Sequence, residues 1–325
     1  MVYTLNYGSI SQVDSCKILK NPFEALGYFR TLSNSKISYC IEINASVDNT
    51  PTLLVSGGIH GNEISGVHAM IRFNEAIQQG ELKLLRGRVI LLLGNPNAFA
   101  DHTRFISSNL NREFKPDEAF SKGVEGFRAY EIREFLKEIG ELSLALDLHT
   151  VSLGDEEMLL YQNNAFYEVG LKLSPIPLHF LPFTHLMPGA LIEEVVRHNP
   201  NCPSFVIECG NHYGKNAPEV AYQHIINSLS HLEMIKIDKN FHGAKELLIY
   251  SLEESIKPAA NFKFTYPGLK TGTFLSAGTE YATSILGSHI TSRDLYAFMV
   301  AAQPRVEDFD VGFFCSLEKR VITST

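Results

Sequence analysis

Residues 52–66, TLLVSGGIHGNEISG, constrain this chain more than any other stretch. The aliphatic run Leu53-Leu54-Val55 leads into Ser56-Gly57-Gly58, and His60 and Glu63 follow, three positions apart. The apolar run predicts a short buried strand, and helical spacing begins near Ile64. Both polar side chains therefore leave a turn at the carboxyl end of a strand, where open α/β sheets place their ligands. An imidazole and a carboxylate from one turn make two ligands of a zinc site. Such a site needs a third ligand from elsewhere and keeps a fourth position for water. Taken alone, the pair reads equally well as a turn with a helix-starting carboxylate.

Apolar runs recur along the chain with helical patterns between them. Residues 37–43, 52–57, 88–94, 144–148 and 204–209 read as strands, and 64–79, 127–139, 189–197 and 217–235 as helices. Continuous runs such as RVILLLG are expected of strands covered on both faces. The alternation predicts a mostly parallel or mixed central sheet flanked by helices. Beyond about residue 237 the pattern changes to short segments (247–251, 262–266, 271–275, 311–315) punctuated by Gly and Pro. A catalytic domain over 1–237 and a smaller C-terminal β-rich domain over 238–325 are therefore expected.

Composition narrows the function classes. A net charge of −8 carries no global basic signature of a nucleic-acid binder, so any bound anion must be met by locally gathered arginines. No run approaches the roughly 20 apolar residues of a membrane span, and the amino terminus lacks the pattern of a signal peptide. The 5 cysteines are scattered, without a C-x-x-C pair, as free thiols in a reducing compartment would be. A cytoplasmic setting is expected, with neither nucleic acid nor membrane as a partner.

The rest of a catalytic site is present in order. His149 ends the run Leu144-Ala145-Leu146-Asp147-Leu148 and supplies a third ligand at a matching strand edge, completing a His₂Glu set with an open position. Asp147, two residues earlier on the same side, could orient a ligand or a substrate amine, or bond nearby backbone. Glu208 follows Phe205-Val206-Ile207 at another carboxyl edge, where a carboxylate could take a proton from the attacking water and pass it to a leaving amine. Its neighbour Cys209, the rival nucleophile, has no partner base. The loop after residue 94 carries Arg104 and Asn111-Arg112. The latter pair could grip a carboxylate, and Arg104 could stabilise an oxyanion. His68 reads as helix packing, and nothing in the sequence fixes the direction of His212. No Gly-Lys-Ser/Thr follows Gly57-Gly58, so they do not form a phosphate loop.

The ordered set Gly58-x-His60-Gly61-Asn62-Glu63, Asn95-Pro96-x-Ala98, Arg104, Asn109-Leu110-Asn111-Arg112, Asp147-Leu148-His149 and Ile207-Glu208-x-Gly210 resembles the succinylglutamate desuccinylase/aspartoacylase family. That family is a branch of the zinc carboxypeptidase-like hydrolases. The resemblance covers roughly residues 50–235. It implies His60, Glu63 and His149 as ligands of one Zn²⁺ per chain, Glu208 as general acid/base, and Arg104 as the group polarising the scissile carbonyl. Asn111 and Arg112 are implied as the grip on the α-carboxylate. The chain departs from the pattern at Asn109, where members often have Asp. Arg197 is the nearest match to an arginine that binds an acidic substrate side chain, but its spacing differs, and a plain helix-end cation is the alternative. Tyr266 and Tyr281 both compete for the family's late substrate-contacting tyrosine.

The expected activity is zinc-dependent deacylation of an N-acyl amino acid, of the N-succinyl or N-acetyl acidic class, to a carboxylate and a free amino acid. The partner is that small molecule, and a homodimer is one possible assembly. The rivals are a metallocarboxypeptidase or amidase acting on peptides or cell-wall fragments, a non-catalytic binding module, and a metal-free protein.

Overall fold

The computed structural model describes residues 21–46, 49–116, 120–181, 188–236, 246–301, 304 and 311–321. The stretch read above for a signal peptide lies within residues 1–20, outside that set. The expected domain boundary likewise falls in the undescribed segment 237–245.

In chain order, α1 (Pro22–Leu32) precedes β1 (Cys40–Asn44), β2 (Thr52–Gly57), α2 (Ser65–Gln78), β3 (Arg88–Leu93) and α3 (Pro96–Ala100). Then come α4 (Val124–Glu138), β4 (Leu144–Val151), β5 (Glu157–Tyr161), α5 (Tyr167–Leu173), β6 (Leu178–Leu181), α6 (Leu191–His198), β7 (Ser204–Asn211) and α7 (Ala217–His231). The C-terminal part holds β8 (Glu246–Ser255), β9 (Lys263–Phe264), β10 (Phe274–Leu275), β11 (Glu280–Ser284), β12 (Gly287–Ile290), β13 (Leu295–Phe298) and β14 (Phe313–Val321).

Among the described residues, 11 strands form one mixed sheet in the order β1-β3-β2-β4-β7-β5-β6-β8-β14-β13-β10. Its centre, β3-β2-β4-β7, is parallel, so four successive carboxyl ends meet at one edge. Side chains alternate across this centre. Leu53, Val55, Leu146, Leu148, Phe205 and Ile207 enter a core shared with α2 and α7. Leu54, Ile90, Ala145 and Val206 enter a second core under α4 and α6. Each fully buried Leu or Val here contributes about 1.5–3 kcal/mol of transfer free energy. Near the carboxyl edge of the second face the alternating positions turn polar, at Ser56, Asp147, His149 and Glu208, yet all remain buried. Apolar packing stops there and a site begins.

Several elements depart from the sequence expectation for local reasons. The first strand starts at Cys40 rather than residue 37, because the chain turns at Tyr39 with φ 58°. The last long helix stops at His231, just before Glu233 adopts φ 54°. β5, β6 and α5 were not anticipated. β5 pairs antiparallel with β7 and carries the sheet on to β6. The C-terminal strands do not stand wholly apart: β8 pairs parallel with β6 and antiparallel with β14. Phe180 stacks on both Tyr250 and Phe298, with ring centroids 4.8 and 3.8 Å apart. A separate three-stranded antiparallel sheet, β12-β11-β9, lies beyond. No helix among the described residues is long and apolar enough to cross a membrane.

Candidate active site

Glu63 is the centre of the buried polar cluster. Its carboxylate lies 2.7 Å from His60 Nδ1 and 2.9 Å from His149 Nδ1, and accepts the backbone N–H of Thr150 at 3.0 Å. Arg104 donates to it at 3.2 Å. Glu63 is therefore not a helix-starting carboxylate; α2 begins two residues later without a side-chain cap. The turn that presents His60 and Glu63 packs hard on α3: a Cβ at Gly61 would run into the backbone of Ala98. Gly61 N–H also donates to Arg104 O at 3.2 Å, joining this turn to the arginine loop.

One donor atom from each of His60, Glu63 and His149 lies within 4.8 Å of the others, and all three residues are buried. The far ring nitrogens are already engaged. His60 Nε2 is 3.1 Å from Asn109 Oδ1, and His149 Nε2 is 2.9 Å from Asp147 Oδ2. Ser56 donates its hydroxyl to the other Asp147 oxygen at 2.7 Å. The Nδ1 atoms are left to face the Glu63 carboxylate. Burial alone would push Glu63 up, but the two imidazoles outweigh it and hold the carboxyl well below its usual range. Burial works to lower His149 as well, yet the Asp147 and Glu63 carboxylates win and raise it well above the ordinary imidazole value. His60 has no second carboxylate; burial and the nearby Arg104 charge lower it to about 4.

Glu208 stands directly beside His149 in the parallel β4–β7 register. It is buried, and its Oε2 has no hydrogen-bond partner among the described residues. Burial pushes its carboxyl up to about 8, the Glu63 and Asp147 charges add to this, and His149 and Arg104 oppose it. Its neighbour Cys209 is raised well above the usual thiol value, by burial first and the Glu208 charge second, and is inert as a nucleophile.

The loop leaving β3 reaches over this cluster. Arg104 keeps 45% of its side chain exposed, so part of its fork stays accessible beyond the Glu63 contact. Asn111 Oδ1 accepts the Leu191 N–H at the start of α6 at 2.7 Å, which fixes the amide so that Nδ2 is the remaining donor. Arg112 folds back and donates to Asn111 O at 2.7 Å. Arg197 lies elsewhere in its contacts: it pairs with the fully buried Glu194 and donates to Phe114 O at 3.1 Å. Arg133 and His198 meet the same carboxylate. These contacts make Arg197 a counter-charge for Glu194, and none of them brings it to the His60–Glu63–His149 group. Tyr266 and Tyr281 pack in the C-terminal apolar cluster.

Three contributors escaped the sequence reading. Ser56 and Thr150 gave no signal, since a hydroxyl next to a motif residue is unremarkable until its neighbour strand is placed. Thr150 Oγ1 lies 2.7 Å from His212 Nδ1 and so fixes the ring whose direction the sequence left open. Burial lowers that imidazole, and Glu63, Arg104 and His149 all act on it electrostatically. Glu125, which receives the arginine loop, lies two residues before the helix read from the sequence at 127–139 and enters the first turn of α4 only in the structure.

A family model described as Succinylglutamate desuccinylase/Aspartoacylase catalytic domain matches residues 49–166. Succinylglutamate desuccinylase of Pseudomonas putida is 36% identical over 128 residues, which cover 38% of this chain and 37% of that protein. The Pseudomonas paraeruginosa protein of the same name is 38% identical over 120 residues, covering 35% of this chain and 36% of that one. Over this segment the chain is similar to the succinylglutamate desuccinylase/aspartoacylase family.

The family fold extends well past the matched segment. The crystal structure of succinylglutamate desuccinylase from Vibrio cholerae superposes with a TM-score of 0.68 at 17% identity, covering 85% of each chain. Murine aminoacylase 3 gives 0.60 at 20% identity, over 85% of this chain and 98% of that one. These two likenesses concern the fold. The matched segment includes His60, Glu63, Arg104, Asn111, Arg112 and His149, whereas Glu208 and Arg197 lie beyond it. The sequence matches to the Pseudomonas proteins span little more than a third of their length.

Proposed function

We propose that this chain is a zinc-dependent amidohydrolase that deacylates an N-acyl amino acid, of the N-succinyl or N-acetyl acidic class. The observation that carries the reading is Glu208 Oε2, buried and unpartnered, beside a Glu63 carboxylate shared by two imidazole Nδ1 atoms. The donor set fits one zinc per chain. It is a His₂Glu combination of nitrogen and oxygen, the far nitrogens are oriented by Asn109 and Asp147, and a position is left open. Held by His60, Glu63 and His149, zinc would supply Lewis acidity toward the scissile carbonyl and toward water.

The chain's own groups do the rest. Asn111 Nδ2 and Arg112 hold the α-carboxylate, so the amide arrives oriented. The exposed part of Arg104 stabilises the oxygen charge that develops as the carbonyl is attacked. Glu208 takes a proton at Oε2 from the attacking water and delivers it to the departing nitrogen; an oxygen with no hydrogen-bond partner among the described residues is available for both transfers. All of these residues lie within 1–237, which we keep as the catalytic unit. Arg197 is assigned to the Glu194 cluster rather than to substrate.

The test is a screen of the zinc-loaded protein on N-succinyl and N-acetyl derivatives of Asp, Glu and neutral amino acids, beside short peptides. Free amino acid released from the acidic N-acyl substrates is the expected result. Release of terminal residues from peptides, with no turnover of N-acyl amino acids, would overturn the assignment in favour of a carboxypeptidase.

A further inference from the structure

We infer that Glu125, in the first turn of α4, is a positioning residue that sets Arg104 and Asn109 over the His60–Glu63–His149 cluster. The inference rests on the functional reading above for what Arg104 does, but its geometry is independent of it. Glu125 is a carboxylate with no exposed surface, and none of its hydrogen bonds serves its own helix. Oε1 accepts the Ile106 N–H at 2.6 Å and Asn95 Nδ2 at 3.1 Å. Oε2 accepts the Ser107 N–H at 3.0 Å, the Ser107 hydroxyl at 2.6 Å and the Ser108 N–H at 3.2 Å. Three successive backbone amides thus wrap one carboxylate, an anion-binding concavity filled by a side chain of the protein itself.

The loop returns the contact. Ser107 Oγ accepts the Val124 N–H at 3.1 Å, so loop and helix cap each other. The close approach depends on Gly123, where a Cβ would strike that hydroxyl. One turn along α4, the buried Arg128 donates to Gly94 O at 2.8 Å and Leu93 O at 2.9 Å, gripping the end of β3. The buried face of α4 therefore fixes both the point where the chain leaves the sheet and the stretch three residues long that separates Arg104-Phe105 from Asn109. Asn109 is the next residue, and its amide faces His60. Arg104 is two residues back, with its carbonyl tied to Gly61 and its guanidinium on Glu63. A loop freed at Ile106–Ser108 loses both placements together, and misplacement by about 1 Å costs roughly 100-fold in rate.

The experiment compares the full-length protein with Glu125→Gln and, as a milder change, Ser107→Ala. Three quantities are read: amide hydrogen exchange at 106–109, zinc affinity by chelator competition, and kcat and KM separately. Glu125→Gln is expected to speed exchange at 106–109 at least about tenfold while β3 and β4 stay protected, and to weaken zinc binding about tenfold through Asn109. It is expected to lower kcat 10- to 100-fold, roughly, with a smaller change in KM. At saturating zinc in an Arg104→Ala background the same substitution should cost less than about threefold in kcat, because Arg104 is already gone and the effect through Asn109 is on metal occupancy. Ser107→Ala should reproduce the pattern on a smaller scale, and it decides the matter if Glu125→Gln does not fold. Unchanged exchange and zinc affinity in a folded variant overturns the proposal, as does full additivity with Arg104→Ala. If the wild-type protein hydrolyses no N-acyl amino acid, the functional reading fails while the exchange and zinc measurements still judge Glu125.

Discussion

Asp147 Oδ2 lies 2.9 Å behind His149, on the ring nitrogen opposite the one that faces Glu63. The corresponding position behind His60 is filled by an amide, Asn109, at 3.1 Å. The two imidazoles are thus backed unequally: one by a carboxylate that Ser56 holds in place, the other by a neutral oxygen. A carboxylate partner makes an imidazole a better metal donor than an amide does.

Asp147→Asn should therefore weaken zinc affinity by roughly 10- to 100-fold. Asn109→Asp should move it the other way, by several-fold, because it gives His60 the same kind of partner. Competition with a calibrated chelator measures both. Equal affinities for the wild type and Asp147→Asn would show that the carboxylate does not tune the site.

Glu208→Gln keeps the shape of the side chain and removes its ability to carry a proton. Zinc content should be unchanged, and kcat should fall by about 100- to 10,000-fold. A Gln variant that retains zinc and hydrolyses at the wild-type rate would remove Glu208 from the mechanism.

Asn111 has two jobs that one substitution separates. Its Oδ1 caps α6 through the Leu191 N–H, and its Nδ2 is assigned to the substrate carboxylate. Asn111→Asp preserves an acceptor for Leu191 but turns an oxygen toward that carboxylate. KM should rise at least about tenfold with little change in melting temperature, a penalty in the range of a lost charge-assisted hydrogen bond. Asn111→Ala should raise KM and also destabilise the fold by about 1–3 kcal/mol. A melting temperature that falls equally in both variants would indicate a purely structural role.

Acid should destabilise the protein through two histidines remote from the cluster. His179 lies 2.7 Å from Tyr161 Oη and 2.8 Å from Ile176 O. His224 is held by Ser174 at 2.9 Å and Val220 O at 2.8 Å. Burial lowers each to about 4. The unfolded chain takes up these protons near pH 6.5 and the folded chain only near 4, so stability is lost as pH falls through that window. At pH 5 each contributes a loss of about 2 kcal/mol relative to pH 7.5. Urea unfolding at the two pH values measures the sum, and His224→Gln should flatten the slope. A pH-independent unfolding free energy between 5 and 7.5 would contradict this account.

Much of this arrangement was legible in the chain because parallel strands announce their own ends. His60, His149 and Glu208 each follow a continuous apolar run, and a shared sheet edge brings such ends together. What stayed hidden depends on register and on contacts between distant segments. The Ser56–Asp147 bond needs β2 beside β4, and Asp147 could not be assigned without it. Glu125 precedes the helix read at 127–139 and carries no motif; only the returning loop, whose amides converge on it, gives it a role. For Arg197 the sequence offers both a substrate cation and a plain helix-end cation; its contact with the fully buried Glu194, three residues away, depends on the packing of α6 and has no signal in spacing. The union of β6 with β8 was equally invisible, since the two strands are separated in the chain by α6, β7 and α7 and such distant pairing leaves no local pattern.

That union has a practical meaning. β6 spans only Leu178–Leu181, and β8 occupies its outer edge. A chain ended near residue 237, where the composition changes, would leave that edge with bare amides and carbonyls, the template on which β-rich proteins coalesce. It would also strip Tyr250 and Phe298 from the two faces of Phe180. The last strands are thus the seal on the catalytic sheet, and solubility, more than chemistry, is what the protein would forfeit first without them.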